Sequence, residues 1–105
     1  MPRPEQLDTA SRSLRVIAHP VRLQILCNLI SRPMNVSELI ELMNISQPVL
    51  SQHLARLRAL AIVSFERRGQ QIFYQLSDPN YSSLIAAVKH IYCNDADNST
   101  LGTYP

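Results

Sequence analysis

Ser46 to Leu60 reads SQPVLSQHLARLRAL, and the fold turns on how this stretch is understood. Ser46 suits a helix N-cap, Pro48 suits the first turn, and Leu50, Leu54 and Leu57 recur at helical spacing, so the segment predicts a helix with one buried leucine stripe. Its other faces carry Gln47, Ser51, Gln52, His53 and Arg56, whose amides, hydroxyl, imidazole and guanidinium can hydrogen-bond to base edges and phosphates. These are the groups a recognition helix needs. Just upstream, Asn35-Val-Ser-Glu38 has the form of a capping box opening a short helix, with Leu39, Leu42 and Met43 as its apolar side. Asn44-Ile45-Ser46 leaves room only for a turn, so the two helices make a helix-turn-helix.

Downstream, Ile62 to Arg68 and Gln71 to Ser77 read as two strands around Gly69. A hairpin whose tip holds Arg67, Arg68 and Gln70 beside a recognition helix is expected to act as a wing, touching the phosphate backbone or the adjacent minor groove. Solvated charge is the plainer account of those arginines. Val49 fits either contact with a thymine methyl or partial burial. For His53 the competing account is a histidine packed between helix and wing.

Further out lie two helices before this unit and one after it. Glu5 to Ala18 places Leu7, Ala10, Leu14, Ile17 and Ala18 at helical spacing, His19-Pro20 breaks the run, and Val21 to Ser31 is apolar on nearly every side. A helix so little polar belongs at the domain centre. Asp78-Pro79 starts a last helix running to about Cys93, with Leu84, Ile85, Val88, Ile91 and Tyr92 apolar. The expected fold is mainly α with a small β-hairpin wing, in the order ααααββα. Residues 1–4 are expected to be a flexible N-terminus, 5–93 one DNA-binding and dimerisation domain, and 94–105 a disordered tail without apolar period.

The chain has 105 residues, enough for one domain, and 46% of them are hydrophobic against 17% charged, so part of that apolar surface is expected in a homodimer interface. The first and last helices are the faces left over. Two-fold pairing would present two recognition helices to half-sites about one helical turn apart on double-stranded DNA with an inverted repeat. A net charge of +2 says little about nucleic acid, but no acidic residue stands between Glu41 and Glu66. No apolar run is long enough to span a bilayer, and Met1-Pro-Arg-Pro4 lacks the apolar stretch of a signal peptide, so a cytoplasmic chain is expected. With two glycines there is no phosphate-cradling loop, and Glu38 with Glu41 is more simply a solvated helix face than a catalytic pair, which argues against an enzyme. A winged-helix module that binds protein instead of DNA would place an apolar patch where the wing carries arginine and glutamine.

HPVRLQILCNL (19–29), the run ending in SQHLARLRALAIV (51–63) and FYQLS (73–77) together resemble the ArsR/SmtB family of winged-helix regulators over about residues 7 to 93. The likeness is nearest to the branch that includes HlyU, BigR and SqrR, through LQILC in the second helix and a final helix ending in YC. It implies a homodimer that binds operator DNA and changes state on meeting an inducer. Metal-sensing members place Cys-x-Cys where this chain has Ser37-Glu-Leu-Ile-Glu-Leu-Met43, and zinc-binding members use an Asp, two His and a Glu where it has Asp78, Asn80, Ile91 and Asn94. Neither ligand set survives, so no metal and no cofactor are expected. Cys27 and Cys93 would be inert reduced thiols on general grounds. The branch resemblance implies instead a redox-sensing pair, joined by a disulfide or polysulfide link when reactive sulfur species or oxidants act on it. An ArsR-type regulator with an idle dithiol, acting by displacing another DNA-bound protein, is the alternative.

Overall fold

The computed structural model describes residues 1–93, so the expected disordered tail lies outside the described residues. Helix α1 spans Pro4–Ile17, α2 Pro20–Leu29, strand β1 Met34–Asn35, α3 Val36–Met43, α4 Gln47–Ala59, β2 Val63–Arg68, β3 Gln71–Leu76 and α5 Pro79–Tyr92. The winged helix-turn-helix is therefore present. Its wing has one more strand than the two expected, because Met34 and Asn35 pair antiparallel with Tyr74 and Phe73, giving the order β1-β3-β2. Two residues carry no readable alternation, and only β3's free edge makes them a strand.

Local chemistry explains most boundaries. Glu38 donates its N–H to Asn35 Oδ1 at 2.8 Å while Asn35 donates its own to Glu38 Oε1 at 3.0 Å, the reciprocal cap that opens α3. Arg32 pairs with the same glutamate at 2.8 Å, and together these contacts hold the Glu38 carboxyl below the usual carboxylate range. Asp78 Oδ1 accepts from Asn80 N–H at 2.8 Å and starts α5. Helix α2 ends two residues earlier than expected. Ser31 Oγ donates to the Asn28 carbonyl at 3.2 Å, a local bond that competes with helix continuation, and Pro33 follows.

The core is made where α2 touches α1, α3, α4, α5 and β3. Ile25, Leu26, Leu39, Leu50, Leu57, Ile62 and Ile85 are fully buried, with Leu54 next to them at 1% exposure. Leu42 departs from expectation, since it is 56% exposed while Leu39 and Met43 are buried. On so short a helix the inward stripe runs through Val36, Leu39, Ile40 and Met43, at spacings of three and four, and Leu42 falls off it.

Two left-handed residues set the angles around α4. Asn44, at φ 55°, makes the turn from α3, a conformation asparagine tolerates. Ala61, at φ 56°, ends α4 with Ile62 N–H donating to the Leu57 carbonyl and Ala61 N–H to the Arg58 carbonyl, both at 2.9 Å. Alanine has a Cβ that this region penalises by roughly 1–2 kcal/mol, partly offset by the extra unfolded-state freedom of glycine. Ala61→Gly is therefore expected to stabilise the domain by up to about 1 kcal/mol. A thermal midpoint that falls would count against this account of the helix stop.

Candidate DNA interface

Helix α4 is held by its leucines. Leu50, Leu54 and Leu57 are buried along one stripe, which leaves the opposite arc to solvent. Gln47, Ser51, Gln52 and Arg56 all lie on that exposed arc, with Val49 at its margin, 41% exposed. Ser46 caps the helix weakly, its Oγ accepting from Val49 N–H at 3.5 Å. His53 differs from the other polar residues. It is half-buried at the shoulder between the arc and the leucine stripe, with its ring 4.7 Å from that of His19, the residue before α2. The neighbour expected for a packed His53 was the wing; the structure puts the cap of α2 there instead. Burial, then the nearby His19, Arg22 and Arg56, push the His53 imidazole below its ordinary value.

The wing is tight. Arg68 pairs with Gln71 across a two-residue turn in which Gly69 takes φ +66°, a region open to glycine without a Cβ penalty. Successive strand residues face opposite ways, so Arg67 and Arg68 are on opposite faces of the hairpin. The Arg68 guanidinium lies 4.8 Å over the Phe73 ring and 3.6 Å from Glu66. Arg67 has no acidic partner among the described residues, and Gln70 is exposed at the tip. Arg58, at the foot of α4, lies 4.2 Å over Phe65. The exposed arc of α4 and the wing thus present amides and guanidinium groups, and the acid-free window ends only at Glu66.

The cysteines lie on two helices in contact. Cys27 is half-buried in α2, and Cys93 is exposed at the end of α5, its N–H donating to the Lys89 carbonyl at 2.8 Å. Both are free. Burial pushes the Cys27 thiol up; the Lys89 ammonium pulls it down by less, and Cys93 raises it further. Sequence reading missed Lys89 as their charged neighbour, and also missed Arg22 beside His53, since both relations arise between helices distant in the chain. Among the described residues no three His, Cys, Asp or Glu side chains cluster so as to hold a metal ion, and no helix is long and apolar enough to cross a membrane.

Helices α1 and α5 leave an apolar groove of about 450 Å³ between them, lined in part by Ala10, Leu14, Ile17, Tyr81 and Leu84. Leu7, Leu14, Ile91 and Tyr92 are each more than half exposed. The left-over apolar faces expected of the first and last helices are present.

Comparison with known proteins places this architecture. Residues 19–64 match the family described as bacterial regulatory protein, arsR family. The chain is 40% identical over 85 residues to the biofilm growth-associated repressor of Agrobacterium fabrum, covering 81% of this chain and 73% of that protein. It is 39% identical over 80 residues to the transcriptional activator HlyU of Vibrio cholerae, covering 76% and 74%. A solved structure of HlyU from Vibrio cholerae superposes with a TM-score of 0.82 at 35% identity, over 88% of this chain and all of that one. Both relatives are named as regulators, one a repressor and one an activator. The chain belongs to the arsR family of bacterial regulatory proteins, and it is a DNA-binding transcriptional regulator, not an enzyme.

Proposed function

We propose that this regulator works in the cytoplasm as a homodimer that binds an inverted-repeat operator when its thiols are reduced and releases it when Cys27 and Cys93 are linked. The observation that carries the DNA half is the exposed arc of α4, polar along its length and free of carboxylates from Glu41 to Glu66. Gln47, Ser51 and Gln52 read base edges, Arg56 takes a phosphate or a guanine edge, His53 meets the DNA backbone from the shoulder of the arc, and Arg67, Arg68 and Gln70 hold the backbone from the wing. A second copy covers the apolar groove between α1 and α5, which sets the separation of the two recognition helices.

Support for the thiol half comes from two free cysteines on touching helices, one exposed and one half-buried, with Cys93 raising the Cys27 thiol. Exposed Cys93 meets the inducer first. Its thiolate attacks the outer sulfur of a persulfide, becoming a protein persulfide and releasing a thiolate; the Cys27 thiolate then attacks the inner sulfur, forming the disulfide and expelling hydrosulfide. Where a second persulfide first transfers its outer sulfur to the Cys93 persulfide and leaves as a thiolate, attack by Cys27 next to the terminal sulfur gives a trisulfide link and again expels hydrosulfide. Joining the ends draws α5 against α2, shifts the α1–α5 interface and changes the spacing of the two α4 helices, which removes contacts at one half-site.

A second reading, an idle dithiol in a regulator that displaces another DNA-bound protein, draws on the burial that pushes the Cys27 thiol up. One experiment separates the two. Operator binding by the wild type is expected to weaken at least about tenfold after persulfide treatment and to recover with reductant, whereas Cys27→Ser and Cys93→Ser hold the reduced affinity throughout. A response that survives either substitution removes the switch. A wild-type protein that prefers no inverted repeat over random duplex removes the operator reading as well.

A further inference from the structure

His19 and His53 belong to different helices, yet their rings stand 4.7 Å apart at an angle of 44°. His19 Nδ1 accepts the Val21 N–H at 3.1 Å, which caps α2 and leaves Nε2 to carry the proton of the neutral ring. Arg22, in the first turn of α2, is half-buried next to this pair. It has no ion-pair partner among the described residues, and its Nε is buried without a hydrogen bond. A half-buried guanidinium ordinarily faces a carboxylate. Besides burial, the side chains that push His53 down are His19 and Arg22 from the start of α2 and Arg56 from α4 itself. No charged group of α1, α3 or β2, the other elements packed on α4, is among them. Protonatable and cationic side chains thus gather at the junction of α2 and α4, with no carboxylate paired to them among the described residues.

We propose that Arg22, with His53 and His19, seats a backbone phosphate of the DNA, so that the start of α2 grips the strand beside the groove that α4 enters. This rests on the DNA-binding reading above and adds a contact from outside the helix-turn-helix and wing. Arg22 supplies the fixed charge. His53 supplies a conditional one: a phosphate beside it offsets the surrounding cations and raises its proton affinity toward the ordinary value near 6.5. Binding then takes up protons in the window between the depressed and restored values, and affinity rises as pH falls through it.

The test is binding of the wild type, Arg22→Gln and His53→Gln to an inverted-repeat duplex and to a random duplex across salt concentration and between about pH 7.5 and about pH 5. Arg22→Gln is expected to weaken both duplexes alike, by about tenfold, and to lower the salt slope by about 0.9 for each protomer bound. His53→Gln is expected to flatten the rise in affinity toward acid pH. Where Arg22→Gln lowers the thermal transition, Arg22→Met, which keeps the aliphatic stem, is read in its place. An unchanged salt slope in the folded Arg22 variant, or a pH dependence that survives His53→Gln, overturns the proposal while leaving the operator reading intact. Failure of the wild type to bind either duplex would instead remove the operator reading on which the proposal rests.

Discussion

Leu84→Asp is expected to leave a folded monomer whose affinity for an inverted-repeat duplex is lower by at least about 100-fold, the loss that follows when two linked half-site contacts become independent. Leu84 is 37% exposed in the single chain and lines the α1–α5 groove with Leu14, Ile17 and Tyr81. A carboxylate there costs little in the monomer, where water reaches it. In a dimer that covers this groove it would be buried with nothing to pair with, at a cost of several kcal/mol. Sedimentation gives the oligomeric state and duplex titration the affinity. A variant that remains dimeric and binds like the wild type would show that the groove is not the interface.

Leu54→Ala acts inside the fold. Leu54 is 1% exposed, between the fully buried Leu50 and Leu57, and removing its branched side chain leaves a cavity under the recognition helix. Leucine truncations of this kind cost about 3 kcal/mol, against a total stability of roughly 5–15 kcal/mol for a domain of this size. The thermal midpoint is expected to fall by about 15 °C, with binding lost in step with folding. Chemical denaturation gives the free energy directly. A loss below about 1 kcal/mol would mean that α4 is not seated by its leucine stripe.

The recognition helix was legible because everything that defines it is local. Ser46, Pro48 and the leucines at positions 50, 54 and 57 lie within four turns, and each acts on its own helix. The same holds for the Asn35–Glu38 cap and for the turn at Gly69. Leu42 was misplaced because the five apolar residues of so short a helix, Val36, Leu39, Ile40, Leu42 and Met43, do not say which stripe faces inward; α2 and α4, packed on α3, decide that. Strand β1 was missed since its partner, Phe73-Tyr74, lies almost forty residues away. The family resemblance offered Cys27 and Cys93 as a pair, but the influence of Cys93 on Cys27 exists only because α5 returns to lie on α2.

From the residue order alone came the helix periods, their caps and stops, the acid-free window and the leftover apolar faces, all consequences of neighbours within a few positions. Tertiary packing alone decided that His53 stands beside His19 with Arg22 acting on it, that Arg58 lies over Phe65, and that the wing gains a third strand. The physical reason is range: backbone and cap preferences act over one or two helical turns, whereas burial and charge depend on whichever distant side chains the folded chain brings within a few ångströms.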